Sequence, residues 1–144
     1  MKSKKTISKI LLGAMVFMSV TSAGMASANA QGNIKDRPYS FTFAKTTDQI
    51  TTGSYGKWDY TSCYINNYGI VGVNARVFAT NNTGSNYRLD KDCTLYNNTF
   101  VGSNTVRYLE NNVKESGYNS CTLLLTPGGS LRVTTSGEWS PDSV

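Results

Sequence analysis

The chain has 144 residues, with 14 Lys and Arg against 9 Asp and Glu, no histidine and three cysteines, giving a formal net charge of +5. Without an imidazole, neither a Ser-His-Asp nor a Cys-His nucleophilic site can be assembled, and the His-rich catalytic zinc sites fail for the same reason. No glycine-rich phosphate loop or dinucleotide fingerprint is present.

The charge is unevenly placed. Lys2, Lys4, Lys5 and Lys9 precede an eleven-residue apolar run at 10–20, ILLGAMVFMSV, which is too short for a membrane helix of about 20 residues. Small residues follow, with A-x-A sites at Ala26-Ser27-Ala28 and Ala28-Asn29-Ala30. This order predicts a secretory signal peptide over residues 1–30, cleaved after Ala28 or Ala30, and a secreted, extracellular domain over 31–144. The domain then has 114 residues, ten basic and nine acidic, and a net charge of +1. Its cations, among them Lys35, Arg37, Arg76, Arg88, Arg107 and Arg132, are scattered and form no basic stripe, so a nucleic-acid partner is not expected. The polar end of the chain, with neither a sorting-type tail nor an apolar terminal segment, points to release without a membrane anchor.

From residue 31 onward the hydrophobic period is two almost throughout. Tyr39, Phe41 and Phe43 alternate with Ser40 and Thr42 in a first strand. Residues 46–57 read as a loop or hairpin edge, and 58–65 as a second strand that places Trp58, Tyr60 and Tyr64 on one face. Asn66-Asn67-Tyr68-Gly69 is a turn. The clearest strand is 70–80, with Val71, Val73, Ala75 and Val77 on one face, and it is expected to be central. Asp90-Lys91-Asp92 marks 87–96 as an edge or a bulge, since charge discourages pairing with other chains. Residues 100–110 form one further strand and 111–120 a loop. Residues 121–126 and 131–135 are joined by Pro127-Gly128-Gly129 as a C-terminal hairpin.

Seven or eight short strands with regular turn signals and no amphipathic helix predict an all-β antiparallel β-sandwich. Nineteen Ile, Leu and Val and four Phe after residue 30 suffice for one core. The order of a Lys-rich leader, Pro38-Tyr39-Ser40-Phe41-Thr42-Phe43, Thr/Asn/Gly-rich strands and a closing Ser136-Gly137-Glu138-Trp139-Ser140-Pro141-Asp142 resembles a family of small secreted proteins of Gram-positive bacteria known only as a domain of unknown function. The resemblance implies no catalytic residue and no cofactor.

Three sets of residues remain as candidates. Trp58, Tyr60 and Tyr64, with amide side chains nearby in sequence, are the residue types of a carbohydrate- or cell-wall-binding surface, and serve equally as core or interface aromatics. Asp90, Asp92 and Glu110 are the carboxylates for a small hydrolase, and Asp90 with Asp92 supplies oxygen ligands of the kind calcium takes. Both sets read more simply as a solvated edge, so no catalytic residue and no metal site are assigned. Cys63, Cys93 and Cys121 allow one intramolecular disulfide in any of three pairings, or buried thiols packed as small hydrophobes. The expected function is extracellular and non-enzymatic, by binding or by antagonism of other cells, with a polysaccharide- or wall-binding module and a carboxylate hydrolase as alternatives.

Overall fold

The computed structural model describes residues 32–97, 99–129 and 132–143. The predicted signal peptide over residues 1–30, its predicted cleavage sites and Leu131 of the last predicted strand lie outside the described residues. Ten strands are present: β1 (Arg37–Phe43), β2 (Ile50–Thr51), β3 (Tyr55–Gly56), β4 (Cys63–Asn67), β5 (Val73–Thr80), β6 (Leu89–Asp92), β7 (Phe100–Val101), β8 (Thr105–Leu109), β9 (Ser120–Pro127) and β10 (Val133–Ser140). They form two antiparallel sheets. The first runs β1-β10-β4-β8, and the second runs β2-β9-β5-β6, with β3 also on β9 and β7 also on β5.

The sandwich follows from the period-two pattern. On β5, Val73, Ala75, Val77 and Ala79 point inward, in register with Pro127, Leu125, Leu123 and Cys121 of β9. Tyr39, Phe43, Cys63, Ile65, Leu109 and Trp139 of the first sheet complete the core. Each large apolar side chain removed from water in this way contributes roughly 1.5–3 kcal/mol. Gly137 permits the close packing of β1, β10 and β4, since a Cβ there would collide with the Asn66 carbonyl and the Tyr39 phenol. Asn67 ties the β4 turn. Its Oδ1 accepts from the Gly69 N–H and the Thr135 hydroxyl, and its Nδ2 donates to the Val71 and Gly102 carbonyls.

The count of ten exceeds the expected seven or eight because β2, β3 and β7 are two-residue pieces. β5 is central, and the charged β6 is an edge with a register shift at Ala79/Thr80, as expected. Three expectations are corrected. The segment 100–110 is two strands, because the chain passes at 102–104 from β7 on β5 to β8 on β4. β9 and β10 are not a hairpin: β9 is flanked by β5 on one side and by β2 and β3 on the other, so β10 crosses to the other sheet between β1 and β4. The strand expected from residue 58 begins only at Cys63, for a reason that lies in Lys57 and Asp59.

Candidate functional site

After β3, the chain sends Lys57 inward. Its side chain is fully buried, and Nζ lies 2.6 Å from Oδ1 of Asp142, also fully buried, and 3.5 Å from Oδ1 of Asp59. Nζ also donates to the Thr61 carbonyl at 2.5 Å. The second oxygen of Asp142 accepts the backbone N–H groups of Trp58, at 3.0 Å, and of Asn33. Burying two ions costs several kcal/mol each unless the remaining donors and acceptors are filled, and here they are filled. Asp59 closes a tight turn by accepting the Thr61 N–H at 2.9 Å and hydroxyl at 2.5 Å. Burial alone would raise the Asp59 carboxyl, but these Thr61 hydrogen bonds, with Asp142 and the Lys57 charge, hold it below the usual carboxylate value. Such a turn replaces the strand ladder with side-chain hydrogen bonds, which is why alternation over 58–62 does not make a strand and β4 starts at Cys63.

The same turn throws the flanking aromatics outward. Trp58 is 62% exposed and Tyr60 69% exposed, both on the loop between β3 and β4. Of the three aromatics expected on one strand face, only Tyr64 stands on a strand. It faces out from β4 opposite Tyr108 of β8, with ring centroids 5.8 Å apart at 55°. The pair walls a groove of about 180 Å³ lined also by Ile34, Asp36, Ser140, Asp142 and Ser143.

Trp58 lines a neighbouring hollow with Ile34, Lys35 and Arg37. Tyr60 lines another with Leu95, Glu110 and Ser143, and Tyr96 a fourth with Leu95, Arg107 and Tyr108. Because these hollows share Ile34, Ser143, Leu95 and Tyr108, they adjoin and surround the Tyr64–Tyr108 pair. Trp58, Tyr60 and Tyr64 thus each line a different hollow, Trp58 and Tyr60 from a loop and Tyr64 from β4, with Tyr108 shared by two hollows and Tyr96 in the fourth. Tyr96 is 74% exposed and held at φ 66°, a left-handed conformation that costs a non-glycine residue roughly 1–2 kcal/mol.

The pKa values of three groups around the pair are shifted upward. Burial pushes the Tyr64 phenol above its ordinary value, with the charges of Glu138 and Asp36 adding to it. Tyr68 donates to Glu138 at 2.6 Å, which drives its phenol up to about 12. Asp36 is raised by burial and by Glu138.

The remaining candidates are dispersed. Asp90 pairs with Arg88 and Asp92 with Arg76, each at 2.8 Å, while Glu110 lines the Tyr60 hollow. Among the described residues, no group of three His, Cys, Asp or Glu side chains is placed to hold a metal. Cys63 and Cys121 meet across the core with sulfurs 4.0 Å apart, and all three cysteines are free, buried thiols. Their mutual hydrogen bond and burial push the Cys121 thiol well above its ordinary value. Cys93 packs near Ser116, and burial raises its thiol too.

Sequence reasoning missed Lys57, Asp59, Asp142 and Tyr108. The only local signal was a lone lysine within the aromatic stretch Tyr55-Gly56-Lys57-Trp58; Asp142, in the polar end of the chain, carried none.

A two-sheet β-sandwich with an aromatic surface stabilised from beneath by a buried ion cluster is the class this chain defines. The chain belongs to the family of proteins of unknown function designated DUF2712, which it matches over residues 26–143. No curated protein and no solved structure matches it.

Proposed function

We propose that this protein is secreted and acts outside the cell without catalysis, as a binding module for a polysaccharide or cell-wall glycan. The observation that carries the reading is the joined set of hollows around the Tyr64–Tyr108 pair, with Trp58, Tyr60 and Tyr96 on its rim. Flat exposed rings stack on the apolar faces of sugar rings, and the phenols offer a polar handle to sugar hydroxyls. Secretion is supported by the lysine-rich, short apolar leader and its A-x-A sites. The absence of catalysis is supported by the missing histidine and by the pairing of Asp90 with Arg88 and of Asp92 with Arg76.

The test is retention of the domain on insoluble cell-wall glycan and on polysaccharide resins. The expected result is retention that Tyr64→Ala/Tyr108→Ala abolishes while the melting temperature is held. No retention on any of these matrices, with Trp58→Ala mainly lowering the melting temperature, would overturn the reading and leave these rings as fold residues.

A further inference from the structure

We propose that the folded chain joins Lys57 to Asp142 by an intramolecular amide bond, formed by the protein itself with Asp59 carrying the proton. The geometry brings an amine-bearing and a carboxylate side chain into direct hydrogen-bond contact inside the fold. The Lys57 nitrogen is held 2.6 Å from the Asp142 carboxylate, and both side chains are closed to solvent. Fixing two reactants in this way converts a slow bimolecular condensation into an intramolecular one. Asp59 lies 3.5 Å from the same nitrogen and is partly open to water. Gly32 packs against both carboxylate side chains at once, with no room for a Cβ between them.

The step balances without an oxidant or a co-reactant. One proton passes from the Lys57 ammonium to Asp142 Oδ1, along the hydrogen bond that already joins them, leaving an amine and an acid. The amine nitrogen attacks Asp142 Cγ and the C–N bond forms. The negative charge that develops on Oδ2 falls where the Asn33 and Trp58 N–H groups already donate, the arrangement that stabilises a tetrahedral oxyanion. Asp59 takes the second proton from nitrogen and returns it to Oδ1. The C–Oδ1 bond then breaks and water leaves past Asp59, the member of the cluster that is partly open to solvent. An ammonium and a carboxylate become an amide and one water, and Asp59 ends as it began. The product ties the loop after β3, on one sheet, to the segment after β10, on the other.

Mass spectrometry of the full chain, purified folded and then denatured, reduced and alkylated, tests this directly. The expected result is a mass one water below that of the sequence, and a branched proteolytic peptide in which uncleaved Lys57 is joined to the Asp142 peptide. The variant Asp59→Asn is expected to keep the full mass. A wild-type protein at full mass overturns the proposal, and so does a water loss confined to a linear peptide at Asp142, which would be a cyclic imide. A branched peptide that persists in Asp59→Asn overturns the role given to Asp59.

Discussion

Lys57 and Trp58 are neighbours in sequence and opposites in environment. The lysine is wholly buried with its ammonium surrounded by Asp142, Asp59 and the Thr61 carbonyl, whereas Trp58 is 62% exposed while its backbone N–H donates to Asp142. The contrast extends outward from them. In the buried cluster, every charge is met by a partner on the same chain; in the aromatic surface above it, Tyr60, Tyr96 and Tyr108 are more than half exposed. One region therefore carries stability and the other is free to carry recognition. Substitutions that separate the two properties test that division.

The largest effect is expected at Lys57. Replacing it with methionine leaves Asp142 buried, unpaired and unlinked, and breaking a buried pair from one side costs about 3–5 kcal/mol. Denaturant unfolding is expected to show a loss of that size, with glycan retention falling as a consequence of unfolding. The double variant Lys57→Met/Asp142→Leu recovers only part of the loss, because the Trp58 and Asn33 N–H groups then lack their acceptor. A single variant within about 0.5 kcal/mol of wild type would break the comparison, since the buried cluster would then carry no stability.

Tyr64→Ala/Tyr108→Ala is the complementary case. Removing two ring anchors from the centre of a binding surface is expected to weaken binding by at least about 2 kcal/mol, roughly thirtyfold. Stability should change far less than in the lysine variant. Titration against soluble glycan fragments, set beside thermal melts, measures both. Equal losses in the two assays would merge the regions into one structural unit.

Two carboxylates sharpen the division by sign. Asp59 in the buried cluster has its folded value lowered, so its contribution to stability is full above the unfolded value of 3.8 and drains away as pH falls below that through the lower folded value. Asp36 at the groove has its folded value raised by burial and by Glu138, so its contribution is present at low pH and is lost as pH rises through the folded value. Asp59→Asn is therefore expected to flatten the acid limb of stability and lower the plateau at neutral pH, while Asp36→Asn leaves the plateau unchanged or slightly higher. Urea unfolding at a series of pH values from acid to neutral reads both slopes. Slopes of the same sign would mean that the groove carboxylate serves the fold as Asp59 does.

What the sequence disclosed and what it withheld divide along the same line. The core was legible, because Val73 to Ala79 and Cys121 to Leu125 alternate or run apolar in ways that only a sandwich interior explains. The edge character of β6 was legible in Asp90-Lys91-Asp92. Pairing was not: nothing local in Pro127-Gly128-Gly129 distinguishes a hairpin from a crossing between sheets, which is decided by the strands already flanking β9. The site was half legible. Trp58, Tyr60 and Tyr64 were selected for their chemistry, but the alternation that put them on one face was broken by the Asp59 turn, a side-chain effect that hydrophobic period does not register. Asp142 is 85 residues from Lys57, and no spacing rule reaches that far.

The smallest effect is expected at Tyr96, and it bears on which region that residue serves. A bulky side chain at φ 66° is strained, and asparagine or glycine takes the same backbone conformation more readily. A residue kept only for the fold would gain nothing from that strain. A residue kept for its ring accepts a loss of about 1 kcal/mol to hold an aromatic against the Tyr108 hollow. Tyr96→Asn is therefore expected to raise the melting temperature slightly while weakening glycan binding, opposite movements that no purely structural role produces. A variant that lost stability and bound as before would assign Tyr96 to the fold and narrow the recognition surface to Trp58, Tyr60, Tyr64 and Tyr108.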